Sequence, residues 1–388
     1  MANSEEKSTF THFRITKSQS PFPVKLHCLK AVTWKNSIIV LGGFAGIRDE
    51  VTHDPGSVCY YHCSGKWLRK ETLGNKPPRH FCNGNVVEVL NDKIVVIVDG
   101  THYSLCLFTW TWTILDPGGQ PPPGVPFDCR YMSSWVYNEK IYIFGGYGVN
   151  EEFDIAYSNH LSCYNPSTNN WELVHQSGDI PSPRRGQVTT IAEDTVFLFG
   201  GHNDNHHQDS PHGELYMLDM NNLHWTRIHA AGPIGPSNHG RFYMSSTLTL
   251  ISKSRAVVFS SLPHADNDEV WILDIDRAKH LDDPANIWKQ IPNHFRRSSY
   301  TALKDPLSES VWLIGGFDRN ITHNDPTYGP LNPVTSDILK ISPHSLTLRD
   351  LATDYIARNM STEEAKLLPD QMPQEIVNDI ALHRRKCC

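Results

Sequence analysis

The chain is 388 residues long, 20% charged and 39% hydrophobic, with a formal net charge of −7. That balance supplies no basic field for nucleic acid, no apolar run is long enough to span a bilayer, and the opening MANSEEKSTF lacks the apolar core of a secretory signal. The 9 cysteines are scattered without a CxxC, several of them (Cys28, Cys82, Cys106, Cys163) in or beside strand-like runs, which is the usage of reduced core thiols in a cytosolic or nuclear protein.

Taken in order, the chain repeats one pattern. A short alternating run, a turn, a nearly continuous apolar run closed by Gly-Gly, a polar loop, a second alternating run and a tryptophan recur; each run has the length of a strand and none that of a helix. The diglycine stands at Gly42-Gly43, Gly145-Gly146, Gly200-Gly201 and Gly315-Gly316, with degenerate versions at Asp99-Gly100 and Ser260-Ser261. The closing tryptophan stands at Trp67, Trp112, Trp171, Trp225 and Trp288. The units run from about Cys28 to Glu71, Asn83 to Leu115, Arg130 to Val174, Arg185 to His229, Arg241 to Ile291 and Arg297 to Ile341. A four-stranded antiparallel unit leaves edges and a face uncovered, so each must stack on its neighbours. The sixth unit has only three strands, and Phe13 to Lys17, with Phe13 in the place of the tryptophan, supplies the fourth and closes a ring. With this signature the chain resembles kelch β-propellers over residues 10–343, which implies an all-β, six-bladed propeller closed by an N-terminal strand.

Strand direction sorts the loops onto two faces. The loops that follow each diglycine share one face, the top, with the linkers between units, and the long irregular loops (44–57, 147–158, 202–213, 317–335) all lie there. Long loops on a rigid scaffold carry binding residues, so the top is the expected ligand face. At the head of the first strand an arginine returns: Arg130 and Arg185 stand 15 residues before their diglycines, and Arg241 and Arg297 take the same place once longer turns are allowed. Arg79 comes too early to match, and His27 occupies the position in the first unit. Several guanidiniums at one channel mouth repel one another, so they point either to an anion pocket for a peptide C-terminus or acidic motif, or to ion pairs that staple the loops. Tyr157, Tyr243, Tyr300, Tyr328 and Trp135 are candidates to line a peptide groove, or else pack between blades. The histidine-rich HNDNHHQDSPH has no helix to fix its spacing and reads as a solvated loop, so neither a metal nor a cofactor is expected.

After Ile341 the texture becomes helical, and residues 344–388 read as a second, α-helical segment. Leu348, Leu351, Ala352, Tyr355, Ile356 and Asn359 follow one face of an amphipathic helix. Ser361 and Glu364 form a capping box over a second helix that ends at Leu367-Leu368-Pro369, and Ile376, Val377, Ile380 and Ala381 share a face of a third. Thr347-Leu348-x-x-x-Ala352-x-x-x-Ile356 looks like the BC box that inserts into Elongin C, with alanine where cysteine or another small residue is usual, and LLPDQMPQEIVNDI resembles a cullin box. Kelch repeats followed by these boxes are the layout of the kelch-domain-containing substrate receptors of Cullin-2 ubiquitin ligases, a subfamily that recognises C-terminal degrons.

That resemblance implies a non-enzymatic adaptor. Elongin B/C would be held through Leu348, Leu351, Ala352 and Ile356, Cullin-2 through Leu368, Pro369 and Ile376, and substrate C-termini through Arg130, Arg185, Arg241, Arg297, Tyr157, Tyr300 and Ser245. One departure limits it: the subfamily's loop after the fourth diglycine carries arginines that hold the degron carboxylate, whereas HNDNHHQDSPHG has none, so a diglycine degron does not transfer. The competing readings are a kelch scaffold without a ligase role and an enzyme. Sialidase Asp boxes and a Tyr-Cys-His copper set are both missing, which disfavours the second.

Overall fold

A computed structural model describes residues 12–18, 21–44, 58–63, 66–78, 86–98, 100–115, 127–149, 154–203, 210–211, 213–229, 247–260, 268–280, 287–292, 296–320, 323–325, 329–331 and 333–344. The chain divides into a larger unit, Thr16–Lys340, and a smaller one, Met1–Ile15 with Ile341–Cys388. In the smaller unit the described residues are strand residues, His12–Ile15 and Ile341–His344. The three helices expected beyond His344, with Leu348, Leu351, Ala352, Ile356, Leu368, Pro369 and Ile376, lie outside the described residues.

Six blades of four antiparallel strands follow one another, and the second and fourth each gain a two-residue outer strand, Leu73–Gly74 and Ser177–Gly178, that pairs parallel to their last strand. The first blade is His27–Trp34, Ser37–Phe44, Val58–Cys63 and Lys66–Glu71; the second is Val86–Leu90, Lys93–Val98, Thr101–Cys106 and Thr111–Leu115. The third is Ser133–Tyr137, Lys140–Phe144, Leu161–Asn165 and Asn170–Val174; the fourth is Val188–Ala192, Thr195–Phe199, Leu215–Asp219 and His224–Ile228. The fifth is Thr247–Ser252, Arg255–Ser260, Glu269–Asp274 and Trp288–Ile291, with a short helix, Ile275–Lys279, in its last connection. The sixth is ordered Thr301–Lys304, Val311–Ile314, Ile338–His344, His12–Lys17, so the N-terminal strand does supply the missing outer strand. The six inner strands pack in a closed cycle, each on the next and Thr301–Lys304 back on His27–Trp34. The protein is therefore a six-bladed propeller, as its repeats require.

The continuous apolar runs are explained by a core shared between blades. In Thr195–Phe199, Val196 and Leu198 pack toward the third blade with Trp135, Phe144 and Trp225, while Phe197 and Phe199 pack toward the fifth with Ala256, Val258 and Trp271. Successive side chains point to opposite faces, and both faces are covered, so the run cannot alternate with polar residues. The closing tryptophan joins each blade to the one before it. Trp225 is 0% exposed, lies 5.1 Å from Phe144 and donates to Gln176 Oε1 at 2.8 Å.

The diglycine has a second task. Gly146 and Gly316 adopt φ of +93° and +87°, and their N–H groups donate to the Arg184 and Leu26 carbonyls of the following blade, each at 2.8 Å. In the first, third, fourth and sixth blades a left-handed residue stands at the head of the inner strand, at Cys28, Tyr131, Gly186 and Ser299. These too link blades: Gly186 N–H donates to Tyr131 O at 3.0 Å and Cys28 N–H to Ser299 O at 2.9 Å.

Trp171 of the third blade donates through Nε1 to His102 Nε2 of the second at 3.0 Å, which fixes that imidazole as a neutral acceptor. Burial holds His102 at about 4 instead of 6.5. The unfolded chain takes up a proton that the folded chain refuses, so this contribution is complete above pH 6.5 and is lost as the pH falls toward 4. The expected loss is about 3 kcal/mol. Urea unfolding of wild type and His102→Gln at neutral and acidic pH checks it: the variant should show a clearly flatter acid dependence, and equal losses in both would refute the assignment.

Candidate binding site

On the top face the long loops fold into small ribbons. Phe127–Arg130, Tyr147–Val149 and Ile155–Tyr157 form a three-stranded sheet; His202–Asn203 pairs with Ser210–Pro211, and Arg297–Ser298 with Phe317–Asp318. These ribbons place the residue that heads each inner strand opposite the residue that follows the diglycine. The pairs are His27 with Phe44, Arg130 with Tyr147, Arg185 with His202 and Ser298 with Phe317.

This register separates the arginines. The turn between the first two strands of the fourth blade pairs Ala192 with Thr195, whereas the sixth blade's pairs Lys304 with Val311; the paired segment thus runs from 188 to 199 in one and from 301 to 314 in the other. The sixth blade is two residues longer there, and the residue 17 before Gly315 is Ser298. Arg297 is the counterpart of Arg184, not of Arg185. Arg241 and Ser245 lie outside the described residues, as do Tyr243, Arg79 and Tyr328.

Arg184 and Arg297 are both buried, the first against a carboxylate and the second against a backbone carbonyl. Arg184, 0% exposed, donates to the Ser182 and Gly200 carbonyls at 2.9 and 3.0 Å and to Glu214 at 3.2 Å. The Arg297 side chain donates to the Asp337 carbonyl at 2.8 Å, and its backbone N–H donates to Asp268, whose carboxylate also pairs with Arg319. Burial pulls both guanidiniums below their usual range, opposed by Glu214 and Tyr216 in one case and by Asp318, Asp337, Tyr300 and Asp268 in the other. The Arg184 side chain is tied within its own blade by an ion pair, and that of Arg297 by a hydrogen bond to a carbonyl.

Arg185 is set among aromatic rings. The Arg185 guanidinium lies 4.2 Å from the Tyr147 ring centre and 5.7 Å from that of Tyr157, and its Nε donates to His202 Nε2 at 2.8 Å. Tyr131 stacks on Tyr147 at 5.8 Å and 16°, and Tyr147 on Tyr157 at 6.0 Å and 28°. Burial pushes the Tyr131 phenol up; Tyr147 and Cys28 add to this and Arg185 and Arg130 oppose it, which places groups from three blades within electrostatic range of one ring. His27 stacks on Phe317 at 4.4 Å and faces Phe44 at 5.7 Å. The site is thus one guanidinium, Arg185, set over stacked rings, with Arg130 in electrostatic range of Tyr131.

Tyr157 is therefore part of the arginine site. Tyr300 is buried between blades against Phe259 at 6.1 Å, and Trp135 is buried against Tyr142 at 6.1 Å. Tyr131, Tyr147 and His202 were not singled out from the sequence, although a signal was present: a ring follows the diglycine at Phe44, Tyr147, His202 and Phe317. Among the described residues no group of three or more His, Cys, Asp and Glu is placed to hold a metal ion, and Cys28, Cys59, Cys106, Cys129 and Cys163 are free thiols. No helix among the described residues is long and apolar enough to cross a membrane.

The fold and its ringed top face define a propeller of the protein-interaction class. Residues 28–260 match the family model described as the KLHDC2/KLHL20/DRC7 Kelch-repeats domain, and the chain belongs to this kelch family. It is 25% identical over 398 residues to Kelch domain-containing protein 1 of Mus musculus and of Homo sapiens, covering 91% of this chain and 89% of each relative. It is 33% identical over 275 residues to Kelch domain-containing protein 3 of Bos taurus, covering 68% of this chain and 66% of that protein. A solved structure titled "Structure of YjhT" aligns with a TM-score of 0.48 at 17% identity, covering 66% of this chain and 81% of that one.

Proposed function

We propose that this kelch protein is the substrate-recognition subunit of a Cullin-2 ubiquitin ligase. Its top face takes the C-terminal carboxylate or an acidic motif of a partner protein on Arg130 and Arg185, and its C-terminal segment recruits Elongin B/C and Cullin-2. The carrying observation is the seating of the Arg185 guanidinium over Tyr147 within the stacked rings of Tyr131, Tyr147 and Tyr157, while the neighbouring Arg184 is paired with Glu214. A buried guanidinium on an aromatic face exchanges little hydration for a carboxylate and holds it by charge-assisted hydrogen bonds. The ligase half rests on the BC-box-like and cullin-box-like residues from Leu348 to Ile376. In this reading the chain supplies no catalytic group; the chemistry belongs to other subunits.

Co-purification with Elongin B/C tests the ligase half. Wild type is expected to form a stoichiometric complex, and Leu348→Asp, which sets a charge against an apolar pocket, to lose it while the propeller stays folded. A wild-type chain that ignores Elongin B/C leaves a kelch binding scaffold without a ligase role.

A further inference from the structure

We infer that the outer edge of the first blade is a docking surface for an extended acidic segment of a partner protein, one in which a carboxylate stands two residues to either side of a bulky apolar side chain. The strand Lys66–Glu71 closes that blade and pairs with Val58–Cys63. Among the described residues no strand pairs with its other edge, whereas the last strands of the second and fourth blades are met there by Leu73–Gly74 and Ser177–Gly178. An open edge presents a row of N–H and C=O groups that another extended chain can complete and a lipid surface cannot.

Side-chain alternation sorts the charges of this strand onto two faces. Trp67 packs with the core between the sixth and first blades, so Arg69 and Glu71 share that face, where they pair with each other at 2.5 Å. Lys66, Leu68 and Lys70 point the other way, toward the second blade, and Leu68 is 47% exposed. Among the described residues neither lysine is paired with a carboxylate. Lys70 Nζ lies 5.9 Å from the Trp110 ring centre, and the exposed Leu73, whose N–H donates to Trp110 O at 2.9 Å, continues the apolar surface from there. On a chain of net charge −7 this face is basic.

That pattern selects the occupant. An added strand sets its side chains opposite those of the edge, about 5 Å away, where opposite charges attract and like charges repel. A second copy of Lys66–Glu71 paired antiparallel about Leu68 would set Lys66 against Lys70 twice, so the lysines turn away the chain's own edge. A segment reading acid-x-apolar-x-acid meets Lys66, Leu68 and Lys70 together, and it does so in either strand direction.

The test uses the full chain and two fluorescent heptapeptides blocked at both ends, Thr-Glu-Thr-Ile-Thr-Glu-Thr and its charge-reversed twin Thr-Lys-Thr-Ile-Thr-Lys-Thr. Wild type should bind the acidic peptide about tenfold more tightly than the basic one, from two attractive cross-strand pairs against two repulsive ones. The double variant Lys66→Glu with Lys70→Glu should reverse that order, with folding followed by near-UV circular dichroism. Lys66→Glu alone, at an exposed position, should remove most of the preference and decides the matter if the double variant does not fold. Full N-methylation of the acidic peptide, which removes its N–H groups, should abolish binding. If wild type binds both peptides alike, or the N-methylated peptide binds as well as its parent, the inference is overturned. A folded double variant that keeps the wild-type order also overturns it, since the acidic peptide is then held elsewhere, as on the arginine face. So does a wild-type chain that binds phosphatidylserine vesicles and neither peptide.

Discussion

Gly316→Ala is expected to cost the protein about 4 kcal/mol or more, far beyond the usual effect of adding one methyl group. Gly316 sits at φ +87°, and a Cβ there would lie 2.3 Å from the Ser298 carbonyl oxygen and 3.0 Å from the Tyr300 amide nitrogen. Both are backbone atoms of the facing strand, so no change of rotamer relieves the contact. The Gly316 N–H also donates to Leu26 O at 2.8 Å, which places the strain on the seam between the last blade and the first. Gly213→Ala is the control: nothing lies within 4 Å of its added Cβ, and its effect should stay within about 0.5 kcal/mol. Urea midpoints of the two variants measure the difference. A Gly316→Ala chain that unfolds at the wild-type midpoint would contradict the register described for the sixth blade.

The second large effect separates two adjacent arginines by what each loses. Arg184→Met should cost about 3–5 kcal/mol, because the Gly200 and Ser182 carbonyls lose a buried donor and Glu214 loses the cation beside it. Ligand affinity should follow stability and change little while the chain is folded. Arg185→Gln should behave in the opposite way. It loses the hydrogen bond to His202 and the cation–π contacts with Tyr147 and Tyr157, together about 2 kcal/mol of stability, but binding of an acid peptide pool should fall roughly ten- to a hundredfold. Denaturant midpoints and pool binding, measured on both variants, give a crossed pattern. Parallel losses in the two variants would mean that Arg185 is a staple like its neighbour.

The blades were legible because each one is local. A strand pairs with the next along the chain, so the spacing of Gly-Gly and tryptophan reports the sheet directly, and the missing fourth strand of the sixth unit pointed to Phe13–Lys17. The arginine ring was only partly legible. Counting back from the diglycine succeeds where the turn holds two residues, as between Ala192 and Thr195, and slips where it is longer, as between Lys304 and Val311. The slip matters because side chains alternate faces, so one residue of error moves a side chain to the opposite face. That is how Arg297 reads as a ring member and folds as a counterpart of Arg184.

What the amino-acid sequence determined by itself is the repeat, the six-bladed closure and the existence of a loop-rich face, since all of these follow from local patterning and from the need to cover both sides of every sheet. What only the tertiary structure decided is which charges are spent inside the protein and which are presented. Asp268 meets Arg297 and Arg319 across 29 and 51 residues of sequence, and Tyr131 comes within range of Cys28 and Arg185 from two other blades. Contacts of that kind depend on how blades rotate against one another about the channel, and no local pattern encodes that rotation.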